Sequence, residues 1–257
     1  GCEDYDKGGE KDKNKSDDLK KDDDKKSSFN AGGKEILINR SVKEENDRIA
    51  HNIWHELKDK GMMCINIMGA PGSGKTTFIE SLGDDLGYDD VFVIQGDLES
   101  DIDRKRLEDK GMGCFQINTH SGCHLNAHMI QKALEEIDVH GKKYLLIENV
   151  GNLVCPANVK IGQHMNIMVS AVTEGCDKPK KYPVIFKDSD LVIISKYDLK
   201  ELVGFDEGRY EKDILTMGKD IKLVRFSSKV KDSVRDACNI IEHRRAHIFA
   251  KGHKHNG

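Results

Sequence analysis

The chain has 257 residues, a formal net charge of −4, a hydrophobic share of 37% and a mean hydropathy of −0.61. That length suits one substantial domain with or without extensions, and the charge gives no electrostatic reason to expect nucleic acid or a membrane surface as a partner. There is no run of about 18 apolar residues, no apolar signal core and an odd number of scattered cysteines (2, 64, 114, 123, 155, 176 and 238), so a reducing, cytoplasmic compartment is expected.

Residues 1–34 are dominated by Asp, Lys, Glu, Ser and Gly. Such a segment cannot bury enough apolar surface to offset the entropy of ordering it, and is expected to be a disordered tail. Ser41 and Glu44 fit a capping box opening a helix that ends at Gly61. Seven apolar runs read as strands: Met62–Met68, Val91–Gln95, Cys114–Ile117, Tyr144–Ile147, Ile167–Val172, Leu191–Ser195 and Ile221–Phe226. Most are apolar on successive residues, the pattern of strands covered on both faces. Ile102–Lys110, Leu125–Ile137 and Val230–Arg244 carry helical periodicity between them. Alternating strand and helix predict an α/β fold, a doubly wound, mostly parallel sheet of about seven strands with helices on both faces. One domain over residues 35–250 with a short flexible tail at 251–257 is the simplest division.

Between the first strand and the helix after it lies Gly69-Ala-Pro-Gly-Ser-Gly-Lys75-Thr76, a phosphate-binding P-loop in the flanking context that gives the pattern meaning. Gly69, Gly72 and Gly74 are expected to allow unusual dihedrals and to bring backbone N–H groups to phosphate oxygens. The helix beginning near Lys75 adds the positive end of its dipole, roughly half an elementary charge. Lys75 can reach the β- and γ-phosphates, and the Thr76 hydroxyl can ligate Mg²⁺. Ser73 and Thr77 complete the expected nucleotide-binding set.

Two carboxylates follow strands and so fall at the carboxyl edge of the sheet, where such folds bind ligands: Asp97 and Glu148. Either can hold Mg²⁺ directly or through water. Ser195-Lys196-Tyr197-Asp198 follows another strand; Asp198 can accept the N–H groups of a guanine edge, and the Lys196 stem can cover the base. Cys123, His124 and His128 form a further group, with the two His four residues apart and so expected on one helical face. Together with Cys155 they offer thiolate and imidazole, the ligands Zn²⁺ prefers, and imidazole also suits Ni²⁺. On spacing alone, a packed Cys beside a surface His pair is an equal alternative.

Cys123-His-Leu-Asn-Ala-His128-Met and Ile147-Glu-Asn-Val-Gly-Asn-Leu-Val-Cys-Pro156 resemble the metal segments of HypB, the hydrogenase nickel-incorporation GTPases. Thr173–Pro183 is similar to the loop that follows them in that family, and the P-loop, Gly96-Asp97 and Ser195–Asp198 occur in the family's order. The resemblance covers residues 40–245. It implies a slow, Mg²⁺-dependent GTPase that converts GTP to GDP, with Lys75, Thr76, Asp97 and Glu148 handling phosphate and Mg²⁺, and Lys196 and Asp198 the guanine. It further implies Ni²⁺ or Zn²⁺ on Cys123, His124 and Cys155, with His128 as a fourth ligand. A homodimer promoted by nucleotide or metal, a partner nickel chaperone and a hydrogenase large-subunit precursor are the implied partners. Ser195 stands where the family's guanine motif has Asn, and its shorter side chain is expected to weaken base contact and loop bracing. Competing readings are an ATP-dependent small-molecule kinase and a metal storage or carrier module with a vestigial nucleotide site.

Overall fold

A computed structural model describes residues 31–96, 101–119 and 122–250, with residues 31–40 and 101 as backbone only. In chain order the elements are α1 Ala31–Asp59, β1 Met63–Gly69, α2 Lys75–Leu86, β2 Val91–Gln95, α3 Asp101–Asp109, β3 Gly113–Gln116 and α4 Ala127–Glu136. They continue with β4 Tyr144–Glu148, β5 Met165–Ala171, α5 Lys178–Lys181, α6 Pro183–Asp188, β6 Leu191–Ser195, α7 Glu207–Leu215, β7 Lys222–Arg225 and α8 Arg235–Ala250. The chain divides into two units at Arg40, and the second, residues 41–257, carries the sheet.

All seven expected strands form, and they pair entirely in parallel in the order β3-β2-β4-β1-β5-β6-β7. The reason lies in β1. Met63, Ile65 and Ile67 pack on one face against Phe78, Ile79 and Leu82 of α2 and Ala237, Cys238 and Ile241 of α8. On the other face Cys64 joins Ile49, Ile53 and Leu57 of α1 and Ile130 and Ala133 of α4. A third cluster on Met68, Met168, Val192 and Ile194 is closed by α6 and α7. A strand buried on both faces, with Asn66 its one polar side chain, needs cover on both sides, and it has it. The strand order reverses around β1, which puts the P-loop at the switch point where open parallel sheets bind ligands.

Three helical expectations change. The capping box at Ser41 does not open its helix: α1 begins at Ala31, ten residues earlier, so Ser41 lies inside it. A four-residue pattern cannot mark a start when the residues before it also go helical. Residues 31–34, expected in the tail, are accordingly the first turn of α1. The rest of that tail and residues 251–257 lie outside the described residues. The helix expected from Val230 begins instead at Arg235, after a turn in which Asp232 has φ 68°. Conversely, α7 was not expected, although Asp206 supplies its cap by accepting from the Arg209 N–H at 2.9 Å.

By sequence Cys64, Cys114 and Cys238 read as small core residues; Cys64 and Cys238 are buried there, Cys114 is only half-buried against it, and every cysteine among the described residues is free. His164 is the unexpected buried titratable group. Its Nδ1 accepts from the Cys64 N–H at 2.9 Å, and its Nε2–H donates to the Trp54 carbonyl at 3.1 Å, which requires the neutral ring. Burial pushes its pKa down to about 4. A folded-state pKa below the unfolded value means the stabilising neutral state is fully present above about pH 6.5 and is lost as the pH falls through about 4. Urea unfolding should therefore report a loss on the order of 3 kcal/mol across that window. His164→Gln should flatten the wild-type slope. An unchanged slope in the variant would assign the acid sensitivity elsewhere.

Candidate nucleotide site and metal cluster

The P-loop forms because β1 must hand over to α2 without a clash. The three glycines do so in two ways. Gly72 and Gly74 sit at φ 70° and 94°, in the left-handed region. Gly69 does not, contrary to the expectation for it. A Cβ there would lie 2.4 Å from the Val169 carbonyl oxygen and 2.6 Å from Ser73 Oγ, so space rather than dihedral angle demands glycine. A cavity of about 270 Å³ opens above the loop and is lined by Gly72, Gly74, Lys75, Thr76, Thr77, Gln95, Asp103, Arg106, Glu148 and Lys196.

Lys75 starts α2 and is buried, its Nζ donating to the Ala70 carbonyl at 3.3 Å. The Thr76 hydroxyl donates to Glu148 Oε1 at 2.7 Å, while Gln95 Nε2 donates to Oε2 at 2.9 Å. Glu148 ends β4 and is buried. Burial raises its pKa, opposed by the bonds from Gln95 and Thr76 and by the nearby Lys75 charge. A buried carboxylate facing a hydroxyl is a hard, all-oxygen donor pair, the set that suits Mg²⁺. Asp97, the other expected acid, lies outside the described residues.

Ser195 braces the loop. Its hydroxyl is buried and donates to the Ser73 carbonyl at 2.5 Å, so the short side chain reaches the P-loop backbone directly. Lys196, at φ 53°, lays its Nζ on the Gly72 carbonyl at 2.8 Å. Such left-handed backbone at a non-glycine residue persists where neighbours hold it. Asp198 is held by the Ser227 hydroxyl at 2.6 Å and by Lys229 at 3.0 Å, which keep its carboxyl below the usual range. Sequence reasoning missed Ser227 and Lys229, and no local pattern marks them. It also missed Arg106, which reaches the cavity from α3 while paired with Glu80 and Asp103.

Four metal ligands were expected and three converge. The donor atoms of Cys123, His124 and Cys155 all lie within 4.8 Å of one another, with Cys123 Sγ 3.5 Å from His124 Nδ1. His128 is exposed and outside this group. The four-residue spacing fails because the helix starts later than expected. Asn126 caps α4, its Oδ1 accepting from the Met129 N–H at 3.0 Å, so His124 precedes the helix and shares no face with His128. Burial lowers the His124 pKa and favours the neutral, ligating ring. The bond from Cys123 raises the Cys155 thiol. Two thiols and an imidazole fit a borderline cation such as Ni²⁺ or Zn²⁺.

The two sites touch. Asn152 forms a β-bridge with Gly69, and a Cβ on Gly151 would meet Pro71 at 3.0 Å. Asn152 Oδ1 also accepts from the Val154 and Cys155 N–H groups at 2.7 and 3.1 Å. On the other side, Asn149 Oδ1 accepts from the Leu125 N–H at 3.1 Å, directly after His124. The loop from Glu148 to Cys155 therefore rests on the P-loop and holds the metal-ligand segment.

The family model for the CobW/HypB/UreG nucleotide-binding domain matches residues 63–225. A hydrogenase/urease maturation factor HypB from Helicobacter hepaticus is 39% identical over 230 residues, spanning 88% of this chain and 94% of that one. This chain belongs to the HypB branch of the CobW/HypB/UreG family. The crystal structure of HypB from Helicobacter pylori in complex with nickel superposes with a TM-score of 0.76 at 36% identity, covering 80% of this chain and 97% of that one. HypB from Archaeoglobus fulgidus gives 0.74 at 33% identity, covering 79% and 99%. The fold is thus that of the family's P-loop NTPases. No helix among the described residues is long and apolar enough to cross a membrane.

Proposed function

We propose that this chain is a GTP-hydrolysing nickel metallochaperone that assists nickel insertion into [NiFe] hydrogenase, with its Cys/His cluster coupled to nucleotide state. The single observation that carries the coupling is the bridge from Asn152 to Gly69, which joins the metal loop to the phosphate loop. The nickel-bound relative and the maturation-factor names of the relatives support the cargo and the recipient.

In this reading residues 35–250 act as one cytoplasmic GTPase domain. The N–H groups of the loop and the α2 dipole bind the phosphates, and Lys75 offsets charge growing on the β–γ bridge. Thr76 and Glu148, with Asp97, would hold Mg²⁺, which would supply further charge neutralisation. Water attacks the γ-phosphorus, the bond to the bridging oxygen breaks, and GDP and phosphate leave. Asp198, positioned by Ser227 and Lys229, takes the guanine edge, and Lys196 covers the base. Cys123, His124 and Cys155 carry the nickel, or zinc in its place. Three ligands leave room for donors from a second copy, which fits a homodimer formed with nucleotide or metal, and from the nickel chaperone and hydrogenase precursor that exchange the cargo.

The test is Ni²⁺ titration of GDP-bound and GTP-analogue-bound protein, with gel filtration of the same samples and an ATP-analogue control. The two nucleotide states should differ in Ni²⁺ affinity by about 5–150-fold, the usual span of such coupling. Equal affinities would overturn the coupling, and tight ATP binding without GTP binding would overturn the GTPase assignment.

A further inference from the structure

A pair of imidazoles lies on α1, apart from the cysteines. His51 and His55 are one helical turn apart and both exposed, so their rings project from one face. Their Nε2 atoms face each other at 3.1 Å, and the rings are tilted by 59° with centroids 4.4 Å apart, converging rather than stacked. Metal–imidazole bonds of about 2.0–2.1 Å spanning that separation subtend roughly 95–100° at the cation. That bite serves both octahedral and tetrahedral coordination.

The alternative, one imidazole donating to the other, gains little: an exposed hydrogen bond exchanges against water, for a net of about 1 kcal/mol or less. Two imidazoles one turn apart on a helix are placed to chelate a borderline cation, and imidazole suits Ni²⁺, Cu²⁺ and Zn²⁺ over Mg²⁺. The pair borders an open cavity of about 560 Å³ that also includes Asp47 and Asp188. These carboxylates offset Lys160, which pairs with Asp47 at 3.8 Å, and Lys58, which lies over the Trp54 ring. The cavity leaves water access to the remaining coordination positions.

We propose that His51 and His55 form a second, solvent-open site for a borderline divalent cation, Ni²⁺ or Zn²⁺. With two neutral ligands it binds more weakly than the thiolate cluster and exchanges its ion freely. The site rests only on the helix geometry and stands whether or not the chain hydrolyses GTP.

The chain supplies its own reporter. Trp54 is its one tryptophan, and its ring meets His55 edge-on with centroids 4.7 Å apart. Full-length protein would be titrated with Ni²⁺, a paramagnetic quencher, while Trp54 emission is followed. The Cys123→Ser/Cys155→Ser double variant removes the thiolate cluster, and His253 and His255 remain in every sample. Saturable quenching should persist in that variant, be reversed by diamagnetic Zn²⁺, and fall at least tenfold when His51→Ala and His55→Ala are added. The His51→Ala/His55→Ala protein with intact cysteines should keep its thiolate-to-nickel absorption and its far-UV circular dichroism, showing a folded chain that has lost one site only. Quenching that survives removal of both histidines, or that never saturates in the wild type, would overturn the proposal.

Discussion

Lys75→Ala should lower GTP turnover by at least about 10²-fold, the cost of removing one preorganised charge from a phosphoryl-transfer site. Lys75 is buried at the head of α2, where its Nζ lies beside the loop backbone and its charge acts in a water-poor setting. Nothing else lining the cavity replaces it. Lys196 is bonded to Gly72, and Arg106 is paired with Glu80 and Asp103. Phosphate release would measure the loss, and a fluorescent GTP analogue would separate binding from turnover. The Cys123, His124 and Cys155 cluster should still bind Ni²⁺ in the variant. Turnover within a factor of ten of wild type would remove Lys75 from the mechanism. Abolished turnover with undiminished nickel delivery would favour a carrier whose nucleotide site is vestigial.

Asn149→Ala should disconnect the two sites and destabilise the fold together. Asn149 follows Glu148 directly and is buried. Its Nδ2 donates to Asn66 Oδ1 at 3.0 Å, and its Oδ1 accepts from the N–H groups of Leu125 at 3.1 Å and Val150 at 3.0 Å. Asn66 in turn donates to Asn166 at 3.0 Å, so a polar chain crosses a sheet that is otherwise apolar here. Truncation strands several buried donors and acceptors, each worth about 1–3 kcal/mol, for a total loss on the order of 3 kcal/mol in urea unfolding. The more informative readout is the ratio of Ni²⁺ affinities with GDP and with GTP analogue, which should fall toward one. A destabilised variant with an unchanged ratio would show that Asn149 carries no coupling and that the Gly151 and Asn152 contacts to the P-loop suffice.

Much of this architecture was legible in the residues. All seven strands could be read because they are short and the central ones are apolar on successive positions, a pattern that cover on both faces of the sheet requires, while the edge strands β3 and β7 are only partly buried. The P-loop was legible because its demands are local: glycine where φ is positive, then lysine and a hydroxyl at the head of a helix. Cys123, His124 and Cys155 were legible as ligand chemistry, and the structure brings their donor atoms together.

What failed, failed at helix ends and across distance. His128 looked equivalent to His124 until Asn126 set the start of α4 between them, a choice made by a cap and by Asn46, whose Oδ1 accepts from the Ala127 N–H. The pattern alone makes Gly69 a dihedral requirement, yet it is set by the carbonyl of Val169 on a neighbouring strand. By sequence Ser195 is short for bracing the loop, but the fold brings the Ser73 carbonyl within reach of its hydroxyl. Ser227, Lys229 and Arg106 carry no pattern of their own. The sequence by itself determined which elements form and which chemistries are present, because backbone preference and apolar burial act over a few neighbouring residues. Which of those groups meet was decided by the tertiary structure alone, because contacts such as Asn149 to Leu125 or Asn152 to Gly69 exist only once the parallel strands have set their register.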